Sequence, residues 1–177
     1  MNTIAGTGSV ITCLSDPKTF EKALQKVQLQ LNGNVEAVRF SPVTEYDAYC
    51  TCEKCARVHE EEGSPAGIYI RFLNKLYEAI VVDHPNIKFE ITPRAYMAKA
   101  PSVTKPLDGV WIRFDNDKCH ISHPVNDSNC PEAVAFAESL QSWGTFCDNV
   151  YVLRNCVSDE FGWPFGSLHD FFPKSFG

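Results

Sequence analysis

Apolar residues along the chain recur at two different spacings, and segments of the two kinds alternate. Three segments show the spacing of one helical face, near residues 17–31, 65–81 and 131–146. Two of them begin with typical N-cap and first-turn pairs, Asp16-Pro17 and Ser64-Pro65. The first stripe consists of Phe20, Leu24, Val27 and Leu31. The pattern therefore predicts three long helices.

Short apolar runs between these segments predict strands. They lie near residues 35–41, 87–92, 109–114 and 149–154. Helices and strands that alternate through short connections are typical of a parallel sheet with helices packed outside it. We therefore predict an α/β fold, a single domain over residues 1–177, with four mainly parallel strands. A complete (β/α)₈ barrel needs about 250 residues, so the count fits about half a barrel or a small open sheet.

Composition narrows the function classes. The 177 residues carry a net charge of −6 and have no clustered basic stretch, which argues against a nucleic-acid partner. No apolar run approaches the length of a membrane span. The first residues lack the basic and apolar regions of a signal peptide.

Cysteine usage indicates an oxidising compartment. The even total of eight cysteines favours disulfides. Asn126-Asp127-Ser128 is a glycosylation sequon, which fits secretion. Since this sequence shows no signal peptide, we expect a secreted or extracellular domain that is part of a longer chain.

The most distinctive motif is Cys50-Thr51-Cys52-Glu53-Lys54-Cys55. Thiols this close can cross-link, bind a metal or fasten a loop to a distant segment. Disulfides or packed thiols are the favoured interpretation, and no metal or cofactor is assigned. Zinc is one alternative, with His59 and a second half drawn from Cys119, His120, His123 and Cys130, and thiol catalysis is another. We predict that the three thiols share one compact loop near Cys13, Cys119 or Cys130.

A series of motifs in a fixed order resembles one known family. They include Cys13-Leu-Ser-Asp-Pro17, Phe40-Ser-Pro with Glu45 five residues before Cys-x-Cys-x-x-Cys, Arg71-Phe-Leu-Asn74, Ala95-Tyr96 and Asn149-Val-Tyr151. Together they resemble the domain of unknown function 4838, which occurs in large secreted glycan-degrading proteins. Its characterised bacterial relatives are endo-β-N-acetylglucosaminidases. The resemblance spans nearly the whole chain and implies the later part of a TIM-like (β/α) glycosidase barrel.

The resemblance implies a glycoside-hydrolase-like domain that acts on N-acetylglucosamine-containing glycans, with a glycan or glycoprotein as partner. The alternative is a non-catalytic carbohydrate-binding or interaction domain derived from that fold. Where the family ends its last strand in Trp-Asp-Tyr, this chain has Leu153-Arg154-Asn155, without the aromatic ring and the carboxylate. This change favours the alternative, and we expect weak or absent hydrolysis by this chain alone.

Candidate site residues follow the predicted strands, where parallel α/β folds place their chemistry. Glu45 is the candidate catalytic carboxyl group, and Asp47 is the neighbour that could replace it. Tyr96, Arg113, His123 and Asn155 are candidates for substrate binding. Plainer interpretations stay open: a solvated loop glutamate for Glu45, a core aromatic for Tyr96, a surface ion pair for Arg113 and a structural histidine for His123.

Overall fold

The computed structural model describes residues 3–5, 12–33, 35–41, 49–93, 95–115 and 127–153. Its strands are β1 Thr3–Ala5, β2 Ala37–Ser41, β3 Lys88–Ile91, β4 Val110–Asp115 and β5 Val150–Leu153. Its long helices are α1 Pro17–Leu31, α2 Glu53–Glu62, α3 Ala66–Val81 and α4 Pro131–Phe146, and a short 3-10 helix spans Ala95–Met97. Within these ranges, no helix combines the length and apolarity needed to cross a membrane.

The strands form one parallel sheet in the order β1-β2-β3-β4-β5, so each strand pairs with its neighbour in sequence. This confirms the predicted α/β class and the four predicted strands. The additional strand, β1, has only three residues and shows no recognisable alternation. A sequential order of parallel strands with outer helices is the order of a partial (β/α) barrel.

Side-chain hydrogen bonds occur at the starts of α1 and α3, where the sequence predicts them. One further helix, α2, was not predicted by the pattern. Asp16 accepts a hydrogen bond from the backbone N–H of Lys18 at 3.0 Å, which caps α1. Ser64 Oγ accepts from the Ala66 N–H at 3.1 Å at the start of α3. Helix α2 was missed because its sequence, Glu-Lys-Cys-Ala-Arg-Val-His-Glu-Glu-Glu, carries too few apolar residues to show a stripe.

The hydrophobic core lies on one face of the sheet. In β2, β3 and β4 every second residue points into it, including Val38, Phe89 and Ile112, each fully buried. Helices α1, α3 and α4 cover this face with side chains that include Val27, Leu73, Leu76 and Trp143. The indole N–H of Trp143 donates to the Met97 carbonyl at 3.0 Å, which ties α4 to the segment after β3. The alternate strand residues therefore occupy the opposite face.

A wholly buried carboxylate fastens the segment between β3 and β4 to the helices. Glu62, at the end of α2, accepts hydrogen bonds from the backbone N–H groups of Val103 and Thr104 at 3.1 and 3.0 Å, and from the Thr104 hydroxyl. Arg71 of α3 lies 2.6 Å from the same carboxylate. Burial alone would raise the pKa of Glu62, but the hydrogen bonds from Thr104, Arg71 and Val103 outweigh it and lower the pKa.

The Glu62 contacts predict a large difference between two neighbouring isosteric substitutions. Each partner of Glu62 is a donor, so Glu62→Gln must point its NH₂ group at another donor. We expect a loss of about 3 kcal/mol in the free energy of unfolding. Glu61→Gln removes a 2.9 Å ion pair from a half-exposed carboxylate and should cost less than about 1 kcal/mol.

Urea denaturation of the three proteins measures both values. Because folding lowers the pKa of Glu62, the ionised carboxylate stabilises the wild type at pH values above the ordinary glutamate pKa. This stabilisation is lost as the pH falls through the folded-state pKa. Glu62→Gln should flatten this pH dependence. Equal losses for the two variants would contradict the assignment.

Close packing around Glu62 predicts opposite effects for two glycine substitutions. A Cβ atom at Gly67 would lie 2.2 Å from Cγ of Glu62, whereas one at Gly144 of α4 would meet nothing within 4 Å. Gly67→Ala should therefore lower stability by about 2 kcal/mol or more. Gly144→Ala should raise it by about 0.5–1 kcal/mol, because alanine is the better helix former. Thermal unfolding of both variants checks the signs, and a stabilised Gly67→Ala would contradict the packing.

Candidate functional site

The face of the sheet opposite the core carries charged and aromatic side chains. Strand alternation places Arg39, Glu90, Trp111, Arg113, Asp115 and Tyr151 on it. Pairing of neighbouring strands sets Arg39 beside Glu90 and Arg113 beside Tyr151. In a (β/α) barrel this face lines the interior, and its carboxyl end is where chemistry is placed.

Arg113 and Asp115 form an ion pair at the carboxyl end of β4. Arg113 Nη2 lies 2.6 Å from Asp115 Oδ2, and both side chains are largely buried. Burial leaves three of their atoms without a hydrogen-bond partner in the part of the chain that the structure describes: Arg113 Nε and Nη1, and Asp115 Oδ1. Unpartnered buried polar atoms are costly, so they mark a place where a ligand or further polypeptide would add hydrogen bonds.

A second ion pair and two aromatic rings lie next to this pair. Arg39 Nε donates to Glu90 Oε2 at 2.7 Å. Burial, with a hydrogen bond to Glu90, raises the pKa of Tyr151 to about 12. Its ring contacts Trp111 edge to face, with centroids 6.2 Å apart. The face thus combines hydrogen-bond donors, hydrogen-bond acceptors and aromatic rings, which is typical of sites that bind polar ligands.

Tyr96 lies in a different aromatic group. Its hydroxyl is 3.2 Å from that of Tyr69 on α3, and its ring centroid is 5.2 Å from that of Tyr49. Tyr49 in turn packs against the His59 ring of α2 at 5.0 Å. Burial and the hydrogen bond with Tyr96 raise the pKa of Tyr69. This group lies beside the core, and Tyr96 packs partly against it.

Four thiols converge where the segment before α1 meets the start of α2. The Sγ atoms of Cys13, Cys50, Cys52 and Cys55 all lie within 4.8 Å of one another, and we call this set the thiol cluster. Cys13 Sγ is 3.7 Å from those of both Cys52 and Cys55. These distances exceed the S–S bond of about 2.05 Å, and the four cysteines are free.

The thiols of the cluster ionise unequally. The backbone N–H of Cys55 and the neighbouring thiols lower the pKa of the exposed Cys52 to about 7. Burial and the other thiols raise the pKa of Cys13 to about 12. Four thiol groups at this spacing could hold a metal ion.

The described residues test only part of the sequence predictions. The three clustered thiols lie near Cys13, as predicted, but Cys55 belongs to the first turn of α2 and not to the same loop. Tyr96 packs with Tyr69, and Arg113 pairs with Asp115. The remaining candidates, Glu45, Asp47, His123 and Asn155, lie outside the described residues, as do Cys119 and Cys156.

Sequence reasoning did not single out every residue that the structure places in the candidate sites. Asp115 was overlooked although Trp111, Arg113 and Asp115 share one face by strand alternation. Cys13 was named only as one of three possible partners. The zinc alternative had included His59, but its Nε2 lies 3.0 Å from the Cys50 carbonyl oxygen and not in the thiol cluster.

The fold and these surfaces define an α/β domain with the strand order of a (β/α) barrel. A family model described as a domain of unknown function, DUF4838, matches residues 7–157. The chain belongs to this family, which confirms the resemblance. No curated protein and no solved structure matches the chain.

The unequal thiols predict an order of alkylation in the reduced, metal-free protein. Cys52 should react first with iodoacetamide, at a rate that rises as pH increases through about 7, because the thiolate is the nucleophile. Cys13, with its raised pKa, should react more slowly than Cys52. Peptide mapping by mass spectrometry checks the order, and Cys52→Ser should remove the fast phase. Faster labelling of Cys13 would contradict it.

Proposed function

We propose that this domain is a carbohydrate-active domain of glycoside-hydrolase type that acts on N-acetylglucosamine-containing glycans. Family membership and the sequential parallel sheet support this proposal. The observation that carries it is the set of unpartnered polar atoms on Arg113 and Asp115, next to the Trp111–Tyr151 rings. Sugars are bound by this combination of paired hydrogen bonds to hydroxyls and contacts with aromatic faces.

The ion pair suits sugar binding better than proton donation. Arg113 Nη2 lies 2.6 Å from Asp115 Oδ2, and the buried Asp115 Oδ1 has no hydrogen-bond partner among the described residues. A bound glycan that displaces the atoms covering this site would donate a hydroxyl to Asp115 Oδ1 and accept from Nε and Nη1 of Arg113. Asp115 and Arg113 therefore orient the glycan.

Hydrolysis requires a proton donor in addition. Glycosidases use two carboxyl groups, or one carboxyl group with help from the substrate acetamido group. Glu45 is our candidate for the donor, since it follows β2 and the carboxyl ends of parallel strands share one edge. Asp47 is the alternative donor in the same segment.

A non-catalytic carbohydrate-binding domain is the second candidate. Among the described residues of the polar face, Glu90 is occupied by Arg39, and Asp115 is the carboxylate with an unpartnered oxygen. Such a face supplies glycan contacts without a pair of catalytic carboxylates. Binding and hydrolysis therefore need separate measurements.

The binding experiment uses the full chain and chitooligosaccharides in isothermal titration calorimetry. We expect binding, and we expect the double variant Arg113→Met/Asp115→Ala to weaken it at least about tenfold, because it removes charge-assisted hydrogen bonds. Asp83→Asn, an exposed position after α3, is the control and should bind like the wild type. Circular dichroism verifies that each variant is folded.

Hydrolysis of the same oligosaccharides separates the two candidates. Turnover that Glu45→Gln abolishes supports the hydrolase, with Asp47→Asn testing the neighbouring carboxylate. Binding without turnover supports the binding domain. Absence of binding to any N-acetylglucosamine oligomer, or binding that is unchanged in the double variant, would overturn the proposed site.

A further inference from the structure

We propose that Cys13, Cys50, Cys52 and Cys55 bind one structural zinc ion. This inference does not depend on the proposed carbohydrate function. Its basis is that four ligand atoms from two separate segments lie within 4.8 Å of one another. Four cysteines form one of the standard ligand sets of structural zinc.

The distances fit a tetrahedral site. With Zn–S bonds of about 2.3 Å, the edge of a regular tetrahedron of sulfurs is about 3.8 Å. The two Cys13 separations are 3.7 Å. Disulfides would instead divide the cluster into pairs separated by about 2.05 Å. No two sulfur atoms of the thiol cluster are within this bonding distance of each other.

The ligand set also indicates a structural ion and not a catalytic one. Four thiolates complete the coordination of zinc, which leaves no position for water or substrate. Cys55 is fully buried and Cys13 and Cys50 are half-buried, so protein surrounds most of the ion's position. Zinc binding would release the thiol protons to solvent. The charge of the zinc ion would offset the repulsion among the four thiolates that result.

Neighbouring polar groups position the ligands. The Ser15 hydroxyl lies 3.3 Å from Cys55 Sγ and can donate to it. His59 Nε2 lies 3.0 Å from the Cys50 carbonyl oxygen, and donation through this atom fixes the ring beside the cluster. Such outer contacts are a regular feature of metal sites. His59 therefore acts as a positioning residue and leaves the fourth ligand position to Cys13.

The ion would join segments that meet at the carboxyl edge of the sheet. Cys13 lies just before α1, Cys52 is the N-cap of α2, and Cys50 follows Tyr49 directly. Tyr49 packs against Tyr96, which follows β3. Zinc thus fixes the point where the segment after β2 enters α2, and loss of the ion should loosen the Tyr49–Tyr96 contact.

The test measures metal in the full chain purified under reducing conditions. Plasma mass spectrometry should find one zinc ion per chain after dialysis. Cobalt in place of zinc should give the visible bands of a tetrahedral site together with thiolate charge-transfer absorption. Chelation should lower the melting temperature, since the ion binds the folded state.

Substitutions assign the ion to the cluster. Cys52→Ser is the test variant, because its side chain is exposed and its loss leaves the core intact. It should weaken zinc affinity at least about tenfold, as expected for loss of a ligand. Cys130→Ser, which changes a described cysteine outside the cluster, is the matched control and should retain one zinc ion.

Three results would overturn the proposal. The first is a reduced, folded chain that binds neither zinc nor cobalt. The second is unchanged zinc affinity in Cys52→Ser, which would place the metal elsewhere. The third is a metal-free purified protein in which non-reducing peptide mapping finds disulfides between members of the cluster.

Discussion

The buried Glu62 carboxylate is the interaction on which the arrangement of the domain most depends. It lies at the end of α2, where Gly63 adopts a left-handed conformation with a φ of 63°. From there it binds Arg71 on α3 and the backbone of Val103 and Thr104 before β4. A buried charge is tolerated only when its hydrogen bonds are complete. The junction between α2 and α3 is therefore fixed to the segment that leads into β4.

The thiol cluster lies at the opposite end of α2, where the proposed zinc ion would form a second fixed point. Glu62 anchors the last turn of this helix, and Cys52 and Cys55 belong to the cluster at its first turn. Since α2 has few apolar residues, its position depends on these polar contacts and on α3 more than on its own burial. The helix in turn carries His59, which contacts Tyr49 and the Cys50 carbonyl. Contacts at both ends of α2 therefore help to position Tyr49 and Cys50, which precede this helix in the chain.

Sequence pattern alone predicted the parts of the fold that depend on local periodicity. Helices α1, α3 and α4 and strands β2 to β5 carry apolar stripes or short β-rich runs, and each was found close to its predicted position. Helix α2 and strand β1 were missed because one is mostly charged and the other very short. The buried role of Glu62 depends on a partner about forty residues away, Thr104, which no local pattern reveals.

In the candidate sites too, the local sequence pattern predicts some features and tertiary contacts determine the others. The proximity of Cys50, Cys52 and Cys55 is visible in the sequence, whereas the choice of Cys13 over more distant cysteines depends on how α1 and α2 each pack against α3. Likewise, strand alternation puts Arg113 and Asp115 on one face, but their ion pair and unpartnered atoms emerge only in three dimensions. Patterns predict which side chains share a face, and tertiary packing decides which of them meet.

The proposed zinc ion would complete the thiol cluster and so fix the start of α2. X-ray absorption at the zinc edge of the purified, reduced chain tests this proposal most directly. The account predicts a first shell of sulfur alone at about 2.3 Å, with a coordination number near four. A shell that includes nitrogen or oxygen at about 2.0–2.1 Å would show that His59 or another group replaces a cysteine and would contradict it.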